Sequence, residues 1–235
     1  MRYILNLSIP FPFLFSTHPS CSLKEDASFL PFHEQPNVVF ENEELFKKRH
    51  ANLVYLPRPL FDSEKLFDQA VQLTTRAKTK DLIPAERIWM GIYFDKEIDQ
   101  AIHPKVSIRF IDEEIGFGAF AGQRIAPCSF VGEYTGKVIQ WKKKLLKEKF
   151  HAIRYAIWGF RRQKFLIDGE MMGNFTRCIN HSATPNLCLR SVYWKGIPRL
   201  IFIALQEIVA GTQLTFDYGP LFWKKHPSLP RTLAV

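Results

Sequence analysis

The 235-residue chain has four cysteines, Cys21, Cys128, Cys178 and Cys188, and none of them forms a C-x-x-C pair or a dense cluster. That sparsity argues against a zinc scaffold or a secreted disulfide framework and leaves reduced, packed thiols as the reading. Long apolar runs are also lacking. The one near a terminus, residues 3–15, is broken by Pro10 and Pro12 and is too short to cross a bilayer as a helix. Arg2 gives it a minimal basic start, but Ser16-Thr17-His18-Pro19-Ser20 offers no A-x-A cleavage site, so it reads as an ordered or export-related arm. No internal repeat or low-complexity tract appears. Gly116 and Gly118 lack the third glycine and the helical pattern that a dinucleotide fingerprint needs.

Positive charge, by contrast, is abundant. Lys and Arg number 32 against 23 Asp and Glu, a net charge of +9. Such an excess favours a polyanionic neighbour such as nucleic acid, because phosphate contacts release counterions without demanding shape specificity. The local runs are Lys142-Lys143-Lys144 with Lys147 and Lys149, Arg161-Arg162 with Lys164, and Lys224-Lys225. Each reads either as a solvated face or as a nucleic-acid contact.

A chain of this length buries roughly 70% of its unfolded surface, enough for one core with a small appendage. Scattered Pro, Phe and Ser up to about residue 40 predict an irregular arm held by aromatic side chains. A helix is predicted over 43–51. A second starts at a cap on Asp62 or Ser63 and carries Leu66, Phe67, Ala70, Val71 and Leu73 or Thr74 at helical spacing. Its apolar face reads as core or as a homodimer contact. After Pro84 the pattern shortens to strand-like runs at 88–94, 106–111, 130–134, 165–167, 200–205 and 214–216, interrupted by one lysine-rich helix over 141–150. Many short strands with few helices predict a mainly β domain of small curled sheets behind an N-terminal helical region.

Four blocks carry the chemistry. Ile115-Gly116-Phe117-Gly118 is a two-glycine turn whose missing Cβ atoms admit a ligand to the backbone. Gly132-Glu133-Tyr134-Thr135-Gly136 puts an aromatic hydroxyl at the tip of a strand. Arg177-Cys178-Ile179-Asn180-His181-Ser182, with Pro185 beyond, suits neither a regular helix nor a central strand, so its polar groups are available to a ligand or to Asx-type turns. About thirty residues later comes Gly211-Thr212-Gln213-Leu214-Thr215-Phe216-Asp217-Tyr218-Gly219.

In this order the blocks resemble the signature of SET-domain protein lysine methyltransferases. The resemblance implies a SET domain over 105–223, with an N-terminal arm and helical region over 1–104 and a basic tail over 224–235. It further implies a C-terminal segment threaded as a pseudoknot beneath Asn180-His181-Ser182. The implied cofactor is S-adenosylmethionine, held by Gly116, Phe117, Gly118, Tyr155, Asn180 and His181, with Arg177 and Asn174 supporting the loop. By the same resemblance Tyr218 and Tyr134 are the catalytic tyrosines, and Phe216, Phe222 and Trp223 line the substrate channel. Phe222 and Trp223 are expected as an aromatic lid. No metal is implied: Ala183 stands where many relatives have a zinc-binding cysteine, and no cysteine lies beyond Cys188.

The residue types suit methyl transfer to an amine. An ammonium has no lone pair, and deprotonating a lysine of pKa about 10.4 at pH 7.5 costs about 4 kcal/mol. An aromatic, poorly hydrated channel lowers that cost. In the family a phenylalanine two positions before the catalytic tyrosine leaves room for a methylated amine where a tyrosine would hold a water, so by this resemblance Phe216 implies di- or trimethylation. The zinc-free form and the Tyr218-Gly219-Pro220-Leu221-Phe222-Trp223-Lys224 ending resemble the SET proteins of chlamydiae. That likeness implies histone or lysine-rich histone-like substrates, met in the bacterial cytoplasm and nucleoid or after secretion into a host nucleus, without a membrane. An acidic rim at Asp112, Glu113 and Glu114, or bridging DNA, would steer a basic substrate. The competing reading is a catalytically silent chromatin or nucleoid adaptor binding through the basic face. Asn180, His181 and Tyr218 together weigh against it.

Overall fold

The computed structural model describes residues 30–141, 149–159 and 164–226. Residues 142–148 of the predicted helix over 141–150, the first 29 residues of the arm and the tail beyond 226 lie outside the described residues. Where the sequence carries a cap and a periodic apolar face, helices form. Ser63 Oγ accepts from Leu66 N at 3.3 Å and opens α2 (Glu64–Thr79), which buries Leu66, Ala70, Leu73, Thr74 and Ala77 along one side. Helix α1 (Glu43–Arg49) begins with two acids and ends with Lys47, Lys48 and Arg49, charges that complement its dipole.

The run at 88–94, read as a strand, is instead helix α3 (Ala85–Tyr93), followed by α4 (Asp95–Gln100). A short apolar run does not distinguish the two by periodicity alone. Tertiary packing decides: at Gly91, a Cβ would fall 1.8 Å from the carbonyl oxygen of Tyr193, so the helix lies against a strand at a distance only glycine permits. Trp89, Ile92 and Tyr93 remain exposed on the outer face.

Among the described residues the strands form four small sheets, as the mainly β expectation requires. A hairpin of β4 (Val106–Asp112) and β5 (Gly116–Ala121) is extended by a parallel strand, β1 (Val38–Phe40). The turn at its tip is closed by Asp112 Oδ1, which accepts from Glu114 N and Ile115 N. Gly118, read as part of a turn, therefore lies within β5. A second sheet pairs β2 (Val54–Tyr55) with β10 (Met172–Gly173). The third runs β3 (Leu60–Phe61), β7 (Lys137–Gln140), β9 (Lys164–Asp168), β8 (Ala152–Ala156). Each of the strands β1, β2 and β3 thus pairs with a strand beyond residue 105.

The fourth sheet places the site. Its order is β11 (Asn180–His181), β14 (Thr215–Phe216), β12 (Leu187–Trp194), β13 (Ile197–Ala204) and β6 (Phe130–Glu133). The late strand β14 is inserted between two earlier ones, pairing Asn180 with Thr215 and Leu187 with Phe216. Asn186 clips the inserted segment at both sides: its Nδ2 donates to Gln213 O at 2.7 Å and its Oδ1 accepts from Thr215 N at 2.9 Å. This is the pseudoknot. One large apolar cluster joins α2 and all of this sheetwork, and a smaller one seats α4 through Phe94 and Ile98 on Val192, Trp194 and Ile201. Among the described residues no helix is long and apolar enough to cross a membrane.

Between β6 and β13 a bidentate ion pair joins Glu133 and Arg199, 5% and 4% exposed. Burial raises the Glu133 carboxyl's pKa even against the attraction of Arg199. Removing one partner strands the other charge in the interior. Arg199→Met is expected to lower unfolding free energy by about 3–5 kcal/mol. The double variant with Glu133→Leu should recover much of that loss, and urea unfolding of the three proteins checks it.

Candidate functional site

Tyr134 follows directly on β6, and its amide donates to Leu200 O at 2.8 Å, which fixes where the ring leaves the sheet. The hydroxyl donates to His151 O at 2.7 Å, and burial pushes its pKa well above the usual tyrosine value. Tyr218 arrives from the other direction, two residues after Phe216 at the end of β14. Its hydroxyl donates to Ile179 O at 3.2 Å and its amide donates to His181 Nδ1 at 3.2 Å. Desolvation among rings raises this hydroxyl as well: Phe216 lies 4.9 Å and Phe222 4.7 Å away, centroid to centroid.

Tyr134, Phe216, Tyr218 and Phe222 line one cavity of about 440 Å³. Its floor is the segment Thr176, Arg177 and Ile179, and one wall is formed by residues 151–154, where β8 is the outer strand of its sheet. A strand edge with no neighbour in its sheet among the described residues, beside an apolar slot, suits an extended peptide that inserts one side chain. The lining also holds Lys149, which is paired with Asp168, and Arg154, which is exposed.

Asn180 and His181 sit beside this cavity rather than in its wall. Asn180 Nδ2 donates to Phe117 O at 3.3 Å, tying the strand over Gly116 and Gly118 to the segment that leads to Tyr218. A Cβ on Gly118 would meet Asn180 Nδ2 at 3.2 Å and Ile111 Cδ1 at 2.7 Å, so a side chain here would crowd Asn180 and displace Ile111. Gly116, at φ +79°, has open space on the side a Cβ would occupy. His181 is the link between the two groups. Its Nδ1 accepts from Tyr218 N, and burial lowers its pKa against Asp217 and a backbone hydrogen bond to Phe216, so the ring is a neutral Nε2–H tautomer at neutral pH. Trp223, on helix α5 (Pro220–Lys225), stands edge-on to His181 at 4.7 Å, and Phe222 stands edge-on to Tyr218.

Tyr155 is not brought to either group. Its ring is buried between Phe61 and Phe165, and its hydroxyl donates to Pro198 O at 2.6 Å. Sequence reasoning in turn passed over three participants. The carbonyls of His151 and Ile179 hold the two tyrosine hydroxyls, and no side-chain pattern reveals a carbonyl. The third, Arg177, carries a signal in its place three residues before Asn180, although it was assigned only to loop support.

Residues 116–219 match the family model of the SET domain. Histone-lysine N-methyltransferase EHMT1 of Homo sapiens is 33% identical over 114 residues, 47% of this chain and 9% of that protein. Histone-lysine N-methyltransferase EZH2 of Chaetomium thermophilum is 30% identical over 130 residues, 52% of this chain and 8% of that protein. Human histone-lysine N-methyltransferase 2B is 35% identical over 105 residues, 44% and 4%. The chain thus aligns with less than a tenth of the length of each.

His151 is held neutral to a pKa of about 3, by burial first and by Arg177 and His50 beside it. Its unfolded value is near 6.5, so the unfolded chain binds the extra proton between those limits and stability falls as pH drops below 6.5. Unfolding free energy should decrease by about 2 kcal/mol between pH 6.5 and 4.5 on this account. Urea titrations of wild type and His151→Gln check it, with the variant expected to show a shallower dependence.

Proposed function

We propose that this chain, a SET-domain protein over residues 116–219, is a protein-lysine N-methyltransferase that uses S-adenosylmethionine. The observation that carries the reading is the convergence of Tyr134, Phe216 and Tyr218 on one apolar cavity, with Asn180 and the Gly116–Gly118 strand immediately beside it. The residues fit the cofactor. Gly116 leaves backbone open to a ligand, and Asn180, whose Nδ2 is committed to Phe117 O, keeps Oδ1 without a partner among the described residues. Asn180 and His181 would hold its polar groups, and the bound group would supply a methyl on a positively charged sulfur.

The remaining chemistry belongs to the chain. A lysine entering the slot loses water, and that desolvation favours the neutral amine. Tyr218, fixed at both its amide and its hydroxyl, sets the amine's direction, and the narrow cavity supplies the alignment of nucleophile and methyl that effective concentration rewards. The edge of β8 provides main-chain groups for an extended segment of a protein substrate. Histones and lysine-rich histone-like proteins are the proposed substrates, and Phe216 supports di- or trimethylation because its ring brings no hydroxyl into the slot.

Tyr218→Phe is expected to reduce radiolabel transfer from S-adenosylmethionine to core histones or a lysine-rich nucleoid protein by at least about 100-fold. Cofactor affinity by calorimetry should stay within a few-fold, whereas Asn180→Ala should weaken it. No label with wild type and no cofactor binding would favour the adaptor reading. Intact-mass analysis at saturation should show additions of two or three methyl groups for wild type and predominantly one for Phe216→Tyr.

A further inference from the structure

Arg177 is a buried cation that the fold does not neutralise. Its side chain lines the cavity and is 8% exposed, yet its hydrogen bonds go to main-chain carbonyls, Gly169 O at 3.0 Å and Glu170 O at 3.5 Å, and among the described residues it enters no ion pair. The Phe32 ring lies 5.8 Å below the guanidinium, adding a weak attraction but no countercharge. A buried unpaired charge is costly, and natural structures retain one where it has a task.

The other groups around the cavity do not cancel that charge. Lys149 and Asp168 cancel each other as an ion pair. Tyr134 and Tyr218 are neutral, as are His151 and His50, which burial holds at about 3 and about 4, and Cys178, which burial pushes up to about 11. Arg154 is a second cation on the wall, and Asp217, 60% exposed, is screened by water. Glu170 bonds Arg177 through its carbonyl; its carboxylate, with Oε2 buried and without a hydrogen-bond partner, lies outside the cavity lining and offsets part of the guanidinium's field, as its raising of Tyr134 shows. Among the described residues that line the buried part of the slot, the unpaired charge is therefore positive, and solvent screens it least there.

We infer that Arg177 acts as a fixed positive charge beside the lysine slot, repelling the ammonium form of an entering lysine and so delivering the neutral amine to the methyl donor. This rests on the methyltransferase reading and adds to it. Arg177 acts through its field, not by contact. The same field is felt by its neighbours: Arg177 contributes to the lowering of His50 and His151 and opposes the raising of Tyr134 and Cys178. The proton leaves the amine to bulk water before transfer, because the ammonium is disfavoured in the slot. The nitrogen lone pair then takes the methyl, and the electrons of the broken carbon–sulfur bond return to sulfur.

The test is the pH dependence of the single-turnover rate at saturating lysine peptide and S-adenosylmethionine, which reports the bound amine, from pH 6.5 to 10.5, for wild type, Arg177→Gln and Arg177→Lys. Glutamine keeps a donor for the Gly169 and Glu170 carbonyls while removing the charge. Its rising limb is expected about one unit higher than that of wild type, a roughly tenfold loss at pH 7.5 that closes by pH 10. Lysine should restore the wild-type limb, and a thialysine peptide, whose amine is less basic, should rescue the glutamine variant. Equal loss at every pH, or an unmoved limb, overturns the inference while leaving wild-type activity as support for the methyltransferase. If Arg177→Gln does not fold, Arg177→Lys is compared with Ala152→Glu, which places a carboxylate on the cavity wall. The glutamate variant should raise the limb, and an unchanged limb again overturns the inference. Absence of wild-type activity would instead refute the methyltransferase reading itself.

Discussion

Glu133 ties together the parts of the molecule that meet at the site. Its carboxylate faces Arg199 across β6 and β13, and its main-chain oxygen accepts from Asn174 Nδ2 at 2.9 Å and Thr176 Oγ1 at 3.2 Å. The first contact fixes the end of the strand from which Tyr134 emerges; the second seats the turn that leads through Arg177 to Asn180. An apolar pair of similar volume would hold two strands together at least as well, since desolvating both charges offsets most of their attraction. What an apolar pair lacks is direction. A forked, bidentate contact fixes register as well as proximity, and here the register determines the position of a tyrosine.

The cavity wall on the far side depends on a different kind of constraint. Tyr218 is positioned by β14, a two-residue strand held on one side by Asn180-His181 and on the other by Leu187. Two residues of ladder are weak alone. The threaded arrangement compensates, because Asn186 holds the incoming segment on both sides and Ala119 O accepts from Leu214 N at 2.8 Å. Every partner is distant in sequence, so the site assembles only when the N-terminal, middle and C-terminal parts of the chain are all in place. Local fraying at α5 would loosen Phe222 and Trp223 without moving the ladder.

Much of this was legible in the sequence where local rules govern. Ser63 and the apolar stripe behind it identified α2, and alternating or continuous apolar runs identified β4, β6, β9 and β13. The clustered polar residues from Asn174 to Asn186 marked a segment that could be neither a regular helix nor a central strand, and its one strand, β11, lies at the end of its sheet. Failures occurred where tertiary packing overrides local pattern. Residues 88–94 are as apolar as a buried strand, and only the glycine-permitted approach of α3 to Tyr193 makes them a helix. Tyr155 has a hydroxyl as polar as that of Tyr134, but its place on β8 turns it into the core toward Pro198. The Glu133–Arg199 pair spans 66 residues, and neither partner has a local signature.

The two tyrosines illustrate why the hydroxyls need main-chain rather than side-chain partners. A carboxylate accepting from Tyr134 or Tyr218 would bring negative charge into the slot and stabilise an ammonium there, which is the form that cannot react. Carbonyl oxygens satisfy the same donors with no net charge. His151 O and Ile179 O do so, and the imidazole of His151 is itself kept neutral by burial. The aromatic faces, the carbonyl acceptors and the neutral histidine all leave the slot without a buried counterion for a lysine ammonium. The one fixed charge buried in its wall, among the described residues, is the guanidinium of Arg177 apart from the self-cancelling Lys149–Asp168 pair, and its sign is the one that disfavours a second cation.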